Sequence, residues 1–363
     1  MSTTTGIDFL VQKQDWSKFE TVENSRPELQ HGDVLFAVDR FALTSNNISY
    51  AVAGEMLGYW KFFPAPEGMG RIPVMGYGDV IESKHPEIAE GTRCFGFFPM
   101  SRYLRIEPGR VSSSQIMDGA AHREGLADAY NQYSPVEQDG LYDADHEDAM
   151  ALLRGLFMTS FLADDALEES YDAGVASVLI SSASSKTSIA LAYCVSRNNR
   201  AQAVGLTSAR NQEFVRSLGC YDQVLTYEEI ESLDGKRSAG FVDMAGNADV
   251  TRRIHTHWGD TLKFSMAIGA THWQAGGSSE ALPGPASEFF FAPAQIAKRA
   301  KQWGPGEMQK RLGDGWRGFR DFSEEWLQIR NHQGPDALRD VYLEVLEGRS
   351  NPADGHMVSL TDN

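Results

Sequence analysis

The chain has 363 residues, 42% of them hydrophobic, and its 33 basic against 50 acidic side chains leave a formal net charge of −17 at pH 7. Such a length predicts two domains, with ample apolar material for a core. The acidic balance excludes nucleic-acid backbones and anionic membrane surfaces as partners, because both would repel it.

The start, Met1-Ser-Thr-Thr-Thr-Gly-Ile-Asp, has neither a basic cluster nor an apolar run, and no stretch approaches transmembrane length. A cytoplasmic location is therefore expected. Cys94, Cys194 and Cys220 are isolated and odd in number. That fits a reducing compartment and excludes a four-cysteine zinc lobe. Residues 33–43 alternate and are rich in β formers, so they read as a strand. Segments 72–82 and 91–99 continue the pattern, with glycine and proline as punctuation, and Tyr103-Leu-Arg-Ile-Glu-Pro closes what reads as a small β barrel.

Between these strands, Thr44-Ser-Asn-Asn-Ile-Ser-Tyr50 reads as a polar loop. Read from the residues alone, Asn46 and Asn47 shape a turn and Tyr50 packs in the core. Gly58-Tyr-Trp-Lys-Phe-Phe-Pro crowds Tyr59, Trp60 and Phe63 together as a pocket wall, a lid, a dimer contact or plain core. Segment 112–147 is long and holds Tyr130, Tyr133, Tyr142, His122 and His146 among many acids, so it reads as a folded lid or a solvated connection. Residues 148–169 read as helical.

The chain is organised around Val178-Leu-Ile-Ser-Ser-Ala-Ser-Ser-Lys-Thr-Ser-Ile-Ala-Leu-Ala, a strand, a tight turn and a helix. The free N–H groups opening such a helix make a seat for an anion such as a pyrophosphate. The dinucleotide fingerprint G-x-G-x-x-G would lie here, yet the turn has no glycine; Ser182, Ser185 and Ser188 stand about where glycines belong, and Lys186 adds positive charge. A second strand, from Gln202, ends in Thr207-Ser208-x-Arg210. Hydroxyl and guanidinium at that tip, with no carboxylate, favour a 2′-phosphate and hence NADPH over NADH. Segment 218–227 reads as a helix end, a turn and a third strand, 240–247 as a fourth strand with a turn and 263–272 as a fifth, which predicts an open parallel sheet. Segments 316–330 and 335–346 read as amphipathic helices, and His356-Met-Val-Ser-Leu as a last strand.

In order and spacing, these pieces resemble the medium-chain dehydrogenase/reductase superfamily. The likeness is to its zinc-independent quinone-reductase-like side, in a bacterial branch whose glycine loop has become Ser-Ser-Ala-Ser-Ser-Lys-Thr. It runs from about residue 30 to the end. It implies an α/β protein, with a Rossmann-type parallel-sheet domain at 148–295 and a discontinuous GroES-like β-barrel domain. The barrel domain would comprise 1–147, with 112–147 as an extended insert, and the return 296–363. Zinc-dependent members hold metal at places where Thr44 or Ser45, Val74 and Met75 stand here, so no metal is expected.

By the same resemblance, Ser182, Ser184, Ser185, Lys186, Thr187, Thr207, Ser208, Arg210, Ala245 and Gly269 would contact the cofactor. Tyr50, helped by Asn46, would donate a hydrogen bond to the developing oxyanion, and Tyr59, Trp60, Phe63 and Tyr77 would line the substrate pocket. Arg154 and Thr159 would contact cofactor or substrate or pack as ordinary helix, and Thr271-His-Trp-Gln and Glu288-Phe-Phe-Phe-Ala-Pro would border the nicotinamide. The expected activity is NADPH-dependent reduction of a small, mostly apolar or aromatic carbonyl compound (an enone, quinone or ketone), with a homodimer left open. Two other classes stay in play. One is a lyase or isomerase that has abandoned the nicotinamide, which the missing glycines favour. The other is a non-catalytic binding protein.

Overall fold

The chain opens with a hairpin that the sequence pattern did not announce: β1 (Thr5–Gln12) and β2 (Asp15–Ser25), antiparallel. β1 is buried on both faces over its middle, so it shows no alternation to read. Then come β3 (Val34–Leu43), α1 (Ser45–Val52), β4 (Met69–Gly70), β5 (Pro73–Ser83), β6 (Arg93–Pro99), β7 (Tyr103–Ile106), β8 (Pro108–Ser112), β9 (Gln115–Asp118), α2 (Asp128–Asn131) and β10 (Gln132–Pro135). The computed structural model describes residues 5–268 and 282–361. It divides into two compact units, Met1–Leu152 with Leu327–Asn363, and Leu153–Trp326. The first division falls within α3 (Glu147–Ala166).

In the second unit follow α4 (Glu168–Asp172), β11 (Ser177–Ile180), α5 (Lys186–Asn198), β12 (Gln202–Thr207), α6 (Gln212–Ser217), β13 (Gln223–Thr226), β14 (Ala239–Asp243), α7 (Ala248–Trp258), β15 (Leu262–Ala267), β16 (Ser287–Phe289), α8 (Ala292–Trp303) and α9 (Pro305–Ser323). All neighbouring strands are parallel, in the order β13-β12-β11-β14-β15-β16. Their apolar runs are buried because helices cover such sheets; Leu179, Val204, Leu206, Phe241 and Ile254 share one core. Strand order reverses between β11 and β14, and open parallel sheets seat ligands beyond the C-terminal ends of strands at such a point.

The chain then returns to the first unit as β17 (Gln328–Gln333), α10 (Gly334–Leu346) and β18 (Asp354–Ser359). The main sheet there has nine strands on the path β17-β18-β3-β5-β6-β10-β9-β8, with β7 beside β3, and β17–β18 is its one parallel pair. β3 shares one edge between β7 (residues 34–37) and β18 (residues 41–43). These pairings leave β17 and β8 as ends, and closure into a barrel is not among them.

Two readings of the C-terminal third change. The helix expected at 316–330 is α9, which begins at Pro305 and stops at Ser323, and residues 328–333 form a strand. The second unit also runs on to Trp326, beyond the expected division at 295. The aromatic residues of α9 explain this, because Phe319 stacks on Phe157 with centroids 5.1 Å apart and meets Tyr193 at 5.4 Å. Among the described residues, no helix is long and apolar enough to cross a membrane.

One half-buried acid of this unit has a raised carboxyl pKa. Asp164 on α3 accepts from the Tyr171 hydroxyl at 2.6 Å and from Asn198 at 2.8 Å, and burial pushes its carboxyl up to about 6 despite those bonds. Between about pH 4 and 6 the folded chain therefore keeps a proton that the unfolded chain has lost. Stability should fall as pH rises through that window, by on the order of 2–3 kcal/mol from this group. Asp164→Asn removes that titration, so the variant-minus-wild-type stability, from urea unfolding at pH 4 and pH 7, should rise by that amount. A difference independent of pH would assign Asp164 an ordinary titration.

Candidate functional site

The turn after β11 uses hydroxyls where glycine was expected. Ser182 has φ +50°, a left-handed conformation that costs a non-glycine residue roughly 1–2 kcal/mol. Its N–H donates to the Tyr227 hydroxyl at 3.0 Å, and its carbonyl accepts from the Ser185 N–H at 2.7 Å. Ser185, at an ordinary φ of −74°, caps α5, its Oγ accepting from the Ser188 N–H at 3.2 Å. The fully buried Ser188 donates from Oγ to the Ser181 carbonyl at 2.9 Å, tying helix to strand where a glycine would only allow close approach.

Neighbouring strands make room and add bonds. Ala183 donates to the Leu206 carbonyl and accepts from the Tyr221 hydroxyl at 2.9 Å. A Cβ on Gly205 of β12 would stand 2.9 Å from the Tyr221 ring and 3.0 Å from Ala183, so only glycine fits there. Thr187 offers its carbonyl to Ser160 at 2.7 Å. The N–H groups of Ser184 and Thr187 have no hydrogen-bond partner among the described residues. They lie at the start of α5, on either side of the half-buried Lys186, where the helix end carries partial positive charge.

Two participants were missed from sequence, Ser181 and Asp243, although an acid closing an apolar strand is a readable signal. Ser181, fully buried, donates to Asp243 Oδ1 at 2.7 Å and accepts from the N–H groups of Met244 (2.8 Å) and Ala245 (3.1 Å). Ala245 is therefore present at the strand ends, but its amide is committed inside the protein. Gly269 and Thr271-His-Trp-Gln lie outside the described residues.

At the end of β12, Thr207 is buried, Ser208 half-buried and Arg210 exposed. Asn211 reaches back to Ser184 Oγ at 2.9 Å, joining this tip to the turn. The carboxylate following the adjacent β13, Glu229, accepts from the Thr226 N–H at 2.8 Å and from Gln212 at 3.2 Å. The Thr226 N–H holds it below its ordinary value.

In the first unit, residues 44–50 are not a loop: they open α1. Thr44 and Asn47 form a capping box, with Asn47 Oδ1 accepting from the Thr44 N–H at 2.7 Å and its Nδ2 donating to the Pro73 carbonyl at 2.9 Å. Asn47 is thus a buried cap, which leaves Asn46, four residues before Tyr50 and so on the same face of α1, as the asparagine within reach of that side chain. Burial and the nearby Tyr130 raise the Tyr50 phenol well above its ordinary value.

Of the expected pocket residues, Tyr59 joins Tyr50, at 4.9 Å between centroids. Of the other three, Phe63 meets Phe62 at 5.9 Å, and Phe62 in turn meets the Tyr50 ring at 6.1 Å. Trp60 packs over Gly54 and Gly70, Phe63 lies 5.0 Å from the Arg123 guanidinium, and Tyr77 is fully buried with Arg93 5.0 Å over its ring. Arg93 is itself bonded to Glu147, Asp39 and Asp79. Thr159 only returns its hydroxyl to the Gly155 carbonyl at 3.1 Å. Burial pushes the thiols of Cys94 and Cys220 up to about 12, which leaves no thiolate for nucleophilic chemistry there. Among the described residues, no group of three or more His, Cys, Asp or Glu is placed to hold a metal.

Over nearly its whole length the chain resembles solved structures. CurA from Vibrio vulnificus in complex with NADPH is 11% identical, with a TM-score of 0.62 and coverage of 98% of this chain and 100% of that one. The yhdH oxidoreductase from Salmonella enterica in complex with NADP is 16% identical, with a TM-score of 0.56 and the same coverage. At these identities the likeness is one of fold alone. No curated protein matches the sequence. Residues 41–351 match the family described as "Protein of unknown function (DUF2855)", and the chain belongs to that family.

Proposed function

We propose that this protein is a metal-independent, NADPH-linked oxidoreductase acting on a small, mostly apolar enone, quinone or ketone. The observation that carries this reading is the turn after β11. It keeps a glycine-like φ at Ser182 and leaves the N–H groups of Ser184 and Thr187 available at the start of α5. Those two donors, with Lys186, would hold the pyrophosphate, and Ser208 with Arg210 the 2′-phosphate. When bound, the cofactor supplies the hydride. The chain's own part is to fix the dinucleotide through these donors and, through Tyr50 positioned by Asn46, to donate a hydrogen bond to the substrate oxygen as negative charge grows on it. The NADP and NADPH in the structures of similar fold support the same cofactor.

Cofactor choice tests it. NADPH should bind more tightly than NADH by about 1.5–3 kcal/mol, the scale of a hydrogen bond to a charged group. That is roughly ten- to a hundred-fold in Kd. Arg210→Ala should erase most of the difference while leaving NADH affinity nearly unchanged; isothermal titration reads both. One observation favours a second reading. Ser185 Oγ already occupies the Ser188 N–H, a donor that a pyrophosphate at a glycine loop could use. If neither nucleotide binds at millimolar concentration, a lyase, isomerase or binding protein on the same scaffold replaces the oxidoreductase.

A further inference from the structure

Segment 112–147 brings Tyr130 into the aromatic group around Tyr50. Tyr130 meets Tyr59 with centroids 5.6 Å apart, Phe62 at 5.2 Å and Phe97 at 5.7 Å. Tyr50 meets Tyr59 at 4.9 Å and Phe97 at 5.8 Å. The group is therefore drawn from α1, the turn after it, β6 and the inserted segment. At its centre the hydroxyls of Tyr59 and Tyr130 are 3.2 Å apart.

Two hydroxyls bonded only to each other use one of their two protons. Whichever oxygen accepts, its own O–H still needs an acceptor. Neither hydroxyl has another partner among the described residues. Tyr59 is buried and Tyr130 half-buried, so the spare O–H lies at the margin of the aromatic group with no protein acceptor among the described residues. A ligand oxygen can accept it. Burial raises both phenols above their ordinary value, so the donor proton stays in place at neutral pH.

We infer that the Tyr59–Tyr130 hydroxyl pair is a second carbonyl-binding donor beside Tyr50, and that the site selects flat dicarbonyl molecules, quinones, over simple ketones. This rests on the oxidoreductase reading only for the role of Tyr50. The bond between the pair polarises the remaining O–H and strengthens it as a donor. An apolar wall with few, fixed polar groups is the composition that gives such selectivity. The inserted segment, through Tyr130, thereby becomes part of the substrate site.

The test is equilibrium dialysis, without nucleotide, of 1,4-naphthoquinone and of 1-tetralone, its monoketone counterpart. The wild type should hold the quinone roughly two- to ten-fold more tightly, the value of one neutral hydrogen bond. Tyr59→Phe/Tyr130→Phe keeps both rings and should bring the ratio to one, while Tyr130→Phe alone, which leaves the Tyr59 donor, should lower it less. Equal affinities in the wild type, no binding of either compound, or a preference that survives in the double variant would each overturn the inference. The wild-type ratio decides even if the double variant does not fold. Because no nucleotide is present, a quinone preference in a protein that fails to bind NADPH would sink the oxidoreductase reading and leave this one standing.

Discussion

Arg123→Ala should destabilise the first unit by about 3–5 kcal/mol, the cost of leaving one partner of a buried ion pair alone. Arg123 and Asp118 face each other at 2.7 Å with side chains 1% and 2% exposed. The guanidinium also donates to the Tyr130 carbonyl at 3.1 Å and to the Tyr133 hydroxyl at 3.1 Å. Asp118 in turn accepts from the Ala120 N–H at 3.0 Å. Truncating the arginine strands a carboxylate out of water and releases the segment that carries Tyr130. Urea unfolding is the measurement, and the variant carrying both Arg123→Ala and Asp118→Ala should be less destabilised than Arg123→Ala alone, since no buried charge is left over. A loss under about 1 kcal/mol, the scale of a surface pair, would mean that Asp118 regains water freely in the variant.

Tyr50→Phe should lower turnover of NADPH with 1,4-naphthoquinone by roughly two to three powers of ten, as loss of one oxyanion donor does. KM should change little, because the bond strengthens only as charge develops. Burial holds the phenol well above its ordinary value, so the hydroxyl is protonated throughout the neutral range. The deficit should therefore be the same from about pH 6 to pH 9, below the ordinary tyrosine value. Turnover near the wild-type rate would remove Tyr50 from the chemistry and leave it as a ring in the aromatic group.

The parallel sheet was legible because its first five strands are apolar runs followed by small or polar residues, a local signal; β16, Ser-Glu-Phe, carries no such run. β11, β12, β13, β14 and β15 all appear near where the pattern places them. The α1 segment misled for an equally local reason: Thr44, Asn46 and Asn47 are turn formers, and an asparagine-closed capping box is written in the same letters as a loop. Other features were hidden because they depend on distant partners. Serine at +50° gives no sign of itself in sequence, and the bond from the Ser182 N–H to Tyr227 crosses 45 positions. Trp60 and Phe63 were read as a possible wall because aromatics crowd residues 59–63, and Tyr77 was added by the resemblance. Gly54 and Gly70 seat Trp60 and Arg93 lies over Tyr77, while Phe63 stays between Phe62 and Arg123. Segment 112–147 could not be judged ordered from its many acids, since Arg123 and Asp118, which pin it, look like surface residues until they meet.

A glycine loop meets a phosphate as loose chain, and freezing each of its residues costs about 1–2 kcal/mol of backbone entropy at the moment of contact. The turn after β11 undergoes that ordering during folding. The hydroxyls of Ser181, Ser184, Ser185 and Ser188 are each bonded within the protein, so the chain is a set mould before any anion arrives. Such a mould loses little entropy on binding, and it also gives no ground. An anion whose oxygens matched the amides of Ser184 and Thr187 would be held without rearrangement, whereas a poorly matched one could not be accommodated by bending the loop. The left-handed backbone at Ser182 is part of the same trade, a strain carried by the empty protein as well as the filled one.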